Sequence, residues 1–345
     1  LEAVNKFSKY YYKSFKINIT NYPTLPSLSL AVFGNSFYDE DNKIKMIKGP
    51  IGEFIREAYF GGNVDVFVEG KEKFVSKGYH YDINSQYPNA MLKKMPKGNP
   101  IFSNNTELNY YFGFVFAKIT PPSADILNNI FIQRRDKRGE ITCPRVEFYR
   151  WIFTEELKQA IKFGYKAQIL CGINFLKQCN EKELFGAFVN HFYEIKRNAK
   201  NAVERTIAKL MLNSLYGKFG QKDIESVMKV VSKKESEIIR RTHHYTIFAE
   251  INEDKFLIKF AGKLNSKLRK LYDEQEEEIQ KLTGFTKIRG VLSAVHISCI
   301  ISAYARMSIN PFKNIKDNMV IYSDTDSIIV RKSLEKKFIG GDIGL

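Results

Sequence analysis

Between Val320 and Val330 the chain runs Val320-Ile321-Tyr322, then Ser323-Asp324-Thr325-Asp326-Ser327, then Ile328-Ile329-Val330. Short β-branched and aromatic runs separated by turn-forming residues predict a tight β-hairpin, so this part of the chain must enter an antiparallel sheet. Strand alternation would set Asp324 and Asp326 on the same side at its tip. Two carboxylates so placed repel one another unless a cation lies between them, and their hard oxygens suit Mg²⁺ or Mn²⁺. An ordinary Asx-rich turn uses the same residues, so the rest of the chain has to separate the two readings.

With 345 residues, 44% of them hydrophobic, the chain can bury the core of one large or two smaller domains. The formal net charge of +16 favours a polyanionic partner such as DNA or RNA. The four cysteines, Cys143, Cys171, Cys179 and Cys299, show no metal-ligand spacing and read as free thiols in a reducing compartment. Adjacent residues of a strand face opposite ways, so His243-His244 is not expected to hold a metal. The most apolar window, Val291 to Met307, is interrupted by His296 and Arg306, and it is shorter than the roughly 20 residues of a membrane span. A core helix and no membrane association are expected. Leu1-Glu2-Ala3-Val4 has neither the basic start nor the apolar run of a signal peptide, and a fragment or processed form is expected.

Residues 1 to 50 read as a linking segment with one helix, the prolines of Tyr22-Pro23-Thr24-Leu25-Pro26 enforcing an extended course. A helix over Ile51 to Ala58 leads to Tyr59-Phe60-Gly61-Gly62, where the glycines would permit positive φ and leave backbone amides open to a phosphate, or simply make a turn. Tyr79 to Ile83 is strand-like, Asn84-Ser85 turns, and Pro88 sits in the first turn of a helix. Asp82 therefore ends a strand. With the hairpin beside it, the carboxylates could hold two metal ions about 4 Å apart, and Tyr87 could wall a sugar pocket or pack under its helix. Further on come a strand from Tyr111 to Ile119, a basic loop from Gln133 to Gly139, and a helix from Thr154, its N-cap, to Phe163, closed by Gly164. From Glu183 to Phe219 the pattern is helical. At about 100° per residue, Arg205, Lys209, Asn213 and Tyr216 share one face, with Ile207, Leu210, Met211 and Leu215 opposite. Such a front can clamp a triphosphate and stack on its base or sugar, or be a solvated basic face. Lys196 joins it only if the helix breaks near Asn198 to Asn201. Ser302 and Arg306 face one way on the later helix, where Arg306 could meet DNA or pair with an acid.

Taken in order, Tyr81-Asp82-Ile83-Asn84-Ser85-Gln86-Tyr87-Pro88, Lys209-Leu210-Met211-Leu212-Asn213-Ser214-Leu215-Tyr216-Gly217 and Tyr322-Ser323-Asp324-Thr325-Asp326-Ser327 resemble motifs A, B and C of family B DNA polymerases. Tyr59-Phe60-Gly61-Gly62 resembles the Tyr-x-Gly-Gly element ahead of the polymerase domain, and the chain is similar to the protein-primed subgroup of phages and linear mitochondrial plasmids. The resemblance implies an α/β (α+β) fold, a right-hand polymerase palm with an antiparallel sheet, helical fingers and inserted subdomains. The implied order is a linking segment at 1–58, palm at 59–92, a first insertion contacting terminal protein or DNA at 93–183, fingers at 184–221, a second insertion at 222–286, and palm again at 287–345. It also implies a fragment without the exonuclease domain and the thumb. By position, Asp82 and Asp326 would bind both metals with the carbonyl of Ile83, and Asp324 would support them. Tyr87 would exclude a ribose 2′-hydroxyl. Lys209, Arg205 and Lys196 would hold the triphosphate, with Asn213 and Tyr216 in the nucleotide pocket. Tyr59, Gly61 and Gly62 would hold template DNA, and Ser302 with Arg306 the primer. Gln86 departs from the pattern, which usually has Leu there.

The expected activity is DNA-directed DNA polymerisation with two Mg²⁺ ions, for which Mn²⁺ could substitute. The partners are template-primer DNA, dNTPs and a terminal protein, and the chain is expected to be a monomer. A truncated or degenerate copy that binds DNA without polymerising is the alternative. A reverse transcriptase or RNA polymerase is more distant, since the acids of the hairpin are spaced Asp-Thr-Asp rather than adjacent. Richness in Lys, Asn, Ile, Phe and Tyr suggests AT-rich coding and a mitochondrial location, or else a phage in its host's cytoplasm.

Overall fold

The structure, a computed structural model, describes residues 2–22, 24–39, 44–47, 49–68, 77–221, 226–242, 245–261 and 294–345. It begins with helices α1 (Glu2–Phe15), α2 (Leu25–Ser36) and α3 (Gly49–Glu57), followed by strands β1 (Val64–Val66) and β2 (Tyr79–Asp82) and helix α4 (Gln86–Met91). Next come β3 (Met95–Lys97), β4 (Ile101–Ser103), β5 (Gly113–Thr120), β6 (Arg134–Arg135), β7 (Ile141–Thr142), β8 (Phe148–Phe153), α5 (Thr154–Lys162), β9 (Lys166–Asn174) and β10 (Lys177–Cys179). Helices α6 (Gly186–Asn198) and α7 (Ala202–Phe219) lead to β11 (Ser226–Ser232), α8 (Lys233–Thr242), β12 (Tyr245–Asn252) and β13 (Lys255–Ala261). The chain finishes with α9 (Val295–Lys313), β14 (Val320–Asp324) and β15 (Ser327–Val330). Two compact units result, Leu1–Gly220 with Ser293–Leu345, and Gln221–Leu292.

The first unit holds the sheet that carries the predicted hairpin, in the order β1-β14-β15-β2. Every pairing in it is antiparallel, and Ser327 lies opposite both Asp324 and Asp82. Ile328 and Val330 point the other way, into a core with Ile83, Ile309, Val320 and Leu334. Because side chains alternate along a strand, this burial of Ile328 and Val330 fixes the register that brings Asp82 level with the hairpin tip. A second sheet, β4-β9-β5-β8, packs Val115, Ala117, Ile119 and Ile152 against Leu157 and Ala160 of α5. Thr154 is the first residue of α5 rather than its N-cap, which is Phe153. The Thr154 Oγ1 instead accepts a hydrogen bond from the Gly113 amide at 3.2 Å.

Residues 1–50, expected to hold one helix, carry two α-helices among the described residues, α1 and α2, before α3 begins at Gly49 where the helix over Ile51 to Ala58 was expected, and α2 builds the core beneath α6 and α7. Phe33 of α2 packs on Phe185, Phe188 and Phe219 with ring centroids 5.1–6.1 Å apart, and Ser29 Oγ donates to the Met211 carbonyl at 2.8 Å. Pro26 causes no extended course, because it sits in the first turn of α2 behind the N-cap Thr24, where a missing N–H costs nothing. The buried face of α7 consists of Ala208, Met211, Leu212, Leu215 and Phe219. Leu210, expected on that face, is 40% exposed, because α2 and α6 pack across the adjoining stripe. Helix α9 extends further than Met307, to Lys313.

In the second unit an antiparallel sheet, β11-β13-β12, lies against α8, with Val231, Ile239, Phe256, Ile258 and Phe260 as its core. His243, His244 and the acidic run from Asp273 to Glu278 lie outside the described residues.

Candidate active site

Asp82 ends β2, Asp324 ends β14, and Asp326 lies with Thr325 in the two-residue turn before β15. The expectation from strand alternation therefore does not apply to Asp326, which is outside the strand. Its orientation comes from Thr325, held at a left-handed φ of 53°. Three hydrogen bonds hold the turn: Thr325 N–H to Asn63 O at 2.9 Å, Ile83 N–H to Asp326 O at 2.8 Å, and Gln86 Nε2 to Thr325 O at 3.1 Å. Asp324 is occupied differently, accepting from Thr325 Oγ1 at 3.0 Å and from the Tyr322 hydroxyl at 3.3 Å.

Burial, then the Asp82 carboxylate, and to a lesser degree Asp324, push the Asp326 carboxyl above its ordinary range, while Lys209 pulls it down. Two carboxylates thus lie close together with incomplete charge compensation, and their hard oxygen donors fit a divalent cation. Among the described residues no group of three or more His, Cys, Asp or Glu side chains converges to hold a metal. The donor set that could hold one is Asp82 and Asp326, with the backbone of Ile83, next to Asp82, tied to Asp326 O through its amide.

The helical pattern from Glu183 to Phe219 is interrupted where Lys196 needed it to be. Asn201 caps α7, its Oδ1 accepting from Glu204 N–H at 2.9 Å, while Glu204 reaches back to Lys200 N–H at 3.0 Å. This reciprocal pairing stops α6 at Asn198 and starts a new axis at Ala202. Lys196 is thereby turned toward the carboxylates and donates to Ser85 Oγ at 2.7 Å. Its pKa is lowered by burial first and then by the Arg205 and Lys209 charges, with Asp82 acting the other way. Arg205, Lys209 and Asn213 are exposed along the front of α7. One turn on, Tyr216 stacks on Tyr87 with centroids 4.3 Å apart and planes 6° apart. The two phenols are hydrogen-bonded, and burial raises both pKa values.

The Tyr59–Gly62 turn lies against the hairpin tip. Neither glycine takes positive φ. Gly62 is needed for closeness, since a Cβ there would come within 2.7 Å of the Thr325 side chain, whereas one on Gly61 would meet nothing within 4 Å. The expected primer contact of Ser302 and Arg306 does not fit the structure. Ser302 is 2% and Arg306 4% exposed. Arg306 forms a bidentate ion pair with Glu156, Nε to Oε1 at 2.7 Å and Nη2 to Oε2 at 2.9 Å. Its Nη1 donates to the carbonyls of Phe60 and Gly61, and Ser302 hydrogen-bonds the Tyr59 phenol. An unpaired guanidinium could not be buried there, and Glu156 supplies the partner. Sequence gave no sign of Glu156, which lies 150 positions away. Phe60 is further covered by Arg150, with its guanidinium carbon 4.2 Å from the ring centroid, and by Arg135 of the basic loop at 5.4 Å.

Residues 2–307 match the family of organellar and viral type B DNA polymerases. A "Probable DNA polymerase" of Agaricus bitorquis is 53% identical over 350 residues, spanning 100% of this chain and 44% of that protein. Another, of Neurospora intermedia, is 30% identical over 97% of this chain and 33% of its own length. The chain thus spans less than half the length of either relative. Among solved structures, a ternary complex of phi29 DNA polymerase with primer-template DNA and incoming nucleotide substrates superposes with a TM-score of 0.63, at 21% identity, covering 94% of this chain and 50% of that one. The mixed helices and antiparallel sheets are those of a right-hand polymerase. With the match covering most of the chain, including the Asp82 strand end and the basic face of α7, this chain belongs to the type B DNA polymerases of organelles and viruses.

Proposed function

We propose that this chain carries the palm and fingers active site of a protein-primed, DNA-directed DNA polymerase. The observation that carries this reading is the convergence of Asp82 and Asp326, tied through the Ile83 amide, with Lys196, Arg205 and Lys209 acting on the same space. Asp82, Asp326 and the Ile83 carbonyl would hold Mg²⁺, with Mn²⁺ as a substitute. When bound, such ions polarise the primer 3′-hydroxyl and offset the charge of the departing pyrophosphate. Lys209, Arg205 and Lys196 bind the triphosphate of the incoming dNTP and neutralise charge as it moves to the leaving group. The Tyr87–Tyr216 stack and Asn213 wall the nucleotide pocket, with Tyr87 blocking a 2′-hydroxyl. Tyr59, Gly61 and Gly62 set the template edge. The formal charge of +16 supports a DNA partner.

In this reading residues 59–92 and 287–345 are palm, 184–221 fingers, and 93–183 and 222–286 insertions, the first a surface for the terminal protein. The replicon is a linear plasmid or genome of a mitochondrion, or a phage. Primer extension on a DNA template with Mg²⁺, using the chain and the chain extended to its relatives' length, tests the reading. Asp82→Asn and Asp326→Asn are each expected to lower incorporation by about 10³-fold or more, as loss of transition-state charge stabilisation does. Undiminished incorporation by both variants overturns the assignment. DNA binding without incorporation by the extended wild type would make the chain a degenerate copy.

A further inference from the structure

Gln86 is 2% exposed, at the start of α4, four residues after Asp82. Burying a primary amide is unfavourable unless its hydrogen bonds are remade. Only one side is remade here: Nε2 donates to the Thr325 carbonyl at 3.1 Å, while Oε1 has no partner. An unpaired buried acceptor costs roughly 1–3 kcal/mol, so an apolar side chain would serve packing better. What Gln86 supplies and Leu cannot is the donor.

The group that receives this hydrogen bond is informative. The Thr325 carbonyl belongs to the peptide plane that ends in the Asp326 nitrogen, and Asp326 O accepts from Ile83 N–H at 2.8 Å. The peptide planes before and after the Asp326 Cα are therefore both held by the segment that follows Asp82. Thr325 itself is β-branched at φ 53°, a conformation L-residues avoid and abandon unless their surroundings fix it. Its N–H is held by Asn63 and its side chain is seated on Gly62 and bonded to Asp324. Gln86 holds the remaining polar group, the carbonyl.

Resting on the polymerase reading, we propose that Gln86 is a positioning residue: its amide clamps the left-handed Thr325 peptide and thereby aims the Asp326 carboxylate at the cation site shared with Asp82.

Gln86→Met keeps length and volume but removes the donor, and Gln86→Leu removes it with a branched apolar side chain. Mn²⁺ binding to the DNA-free protein, followed by the electron paramagnetic resonance of the free ion, reads the carboxylate arrangement without turnover. Both variants are expected to raise the dissociation constant about ten-fold or more, the usual effect of losing a residue that orients a metal ligand. In primer extension kcat should fall, with KM for the dNTP within about two-fold of wild type. Circular dichroism identical to wild type confirms that each variant is folded. A wild type that binds Mn²⁺ and incorporates nucleotides, with both variants equal to it, overturns the clamp alone. A wild type that does neither overturns the reading beneath it.

Discussion

Removing the charge of Glu156 isolates what Arg306 does. In Glu156→Gln one amide oxygen can still accept from Arg306, but the amide NH₂ then faces a guanidinium N–H, donor against donor, where a carboxylate oxygen now accepts at 2.7 or 2.9 Å. Arg150 suffers as well. Its pKa is already lowered to about 10, by burial first, with Glu156 supporting its charge and Arg306 opposing it. The variant therefore leaves two buried guanidiniums without the carboxylate that serves both. Breaking a buried pair by removing one partner costs about 3–5 kcal/mol. With a urea m-value near 3 kcal/mol/M, a loss of about 4 kcal/mol lowers the unfolding midpoint by more than 1 M. The single tryptophan, Trp151, reports this directly, since it is buried beside Arg150 and stacks on Phe54. The double variant Glu156→Met/Arg306→Met, which leaves no charge of the pair behind, should recover most of the loss. Arg306→Met alone should destabilise the protein while leaving the salt dependence of DNA binding unchanged, because the guanidinium does not reach a phosphate. An unchanged urea midpoint for Glu156→Gln, with a salt slope reduced by about one for Arg306→Met, would refute the buried-pair account and restore the primer contact.

Gly62→Ala should displace the hairpin tip, since Thr325 is held on every side and cannot give way; incorporation should fall about ten- to a hundred-fold, while Gly61→Ala, whose added carbon meets nothing within 4 Å, should match wild type. His296, fully buried against Phe175 with its Nδ1 unpartnered, has its pKa lowered to about 3 by burial. The unfolded chain therefore takes up a proton near pH 6.5 that the folded one refuses, and stability from this group falls by about 1.4 kcal/mol per unit as pH drops from 6.5 toward 3. His296→Phe should flatten the pH dependence of the urea midpoint over that range; an unaltered slope would show that His296 is protonated in the folded protein.

What could be read from sequence was what depends on local pattern. The hairpin and the Asp82 strand end followed from β-branched runs with turn residues between them, and the register of β15 against β2 then brings the acids level. Lys196 illustrates the limit. Its side of the helix depends on whether Asn201 and Glu204 cap a new helix or continue the old one, and both outcomes suit the local residues. Of the two helices within residues 1–50 only one was expected, because Pro23 and Pro26 signal extension until Thr24 is seen to cap, and because the burial of Phe33 depends on Phe185, Phe188 and Phe219, which lie far along the chain. Ser302 and Arg306 share a helix face as expected, but what that face meets is a tertiary fact. Glu156 lies on α5, whose packing against α9 no periodicity encodes.

These long-range contacts explain how the acids can be held at all. Asp82 and Asp326 raise one another's free energy in the absence of a cation, and burial adds to it. That unfavourable term must be offset by rigid support, or the hairpin tip would turn outward into water. The support comes from behind the site: Gly62 admits the Thr325 side chain, Asn63 and Gln86 hold its peptide groups, and Arg306 fastens the Phe60 and Gly61 carbonyls to Glu156. A buried guanidinium suits that last task better than a surface one, because no solvent competes for its donors. Arg306 thus acts on the site through the turn it fixes. Lys196 is held by Ser85 Oγ at 2.7 Å, while Arg205 and Lys209 stand exposed on the front of α7.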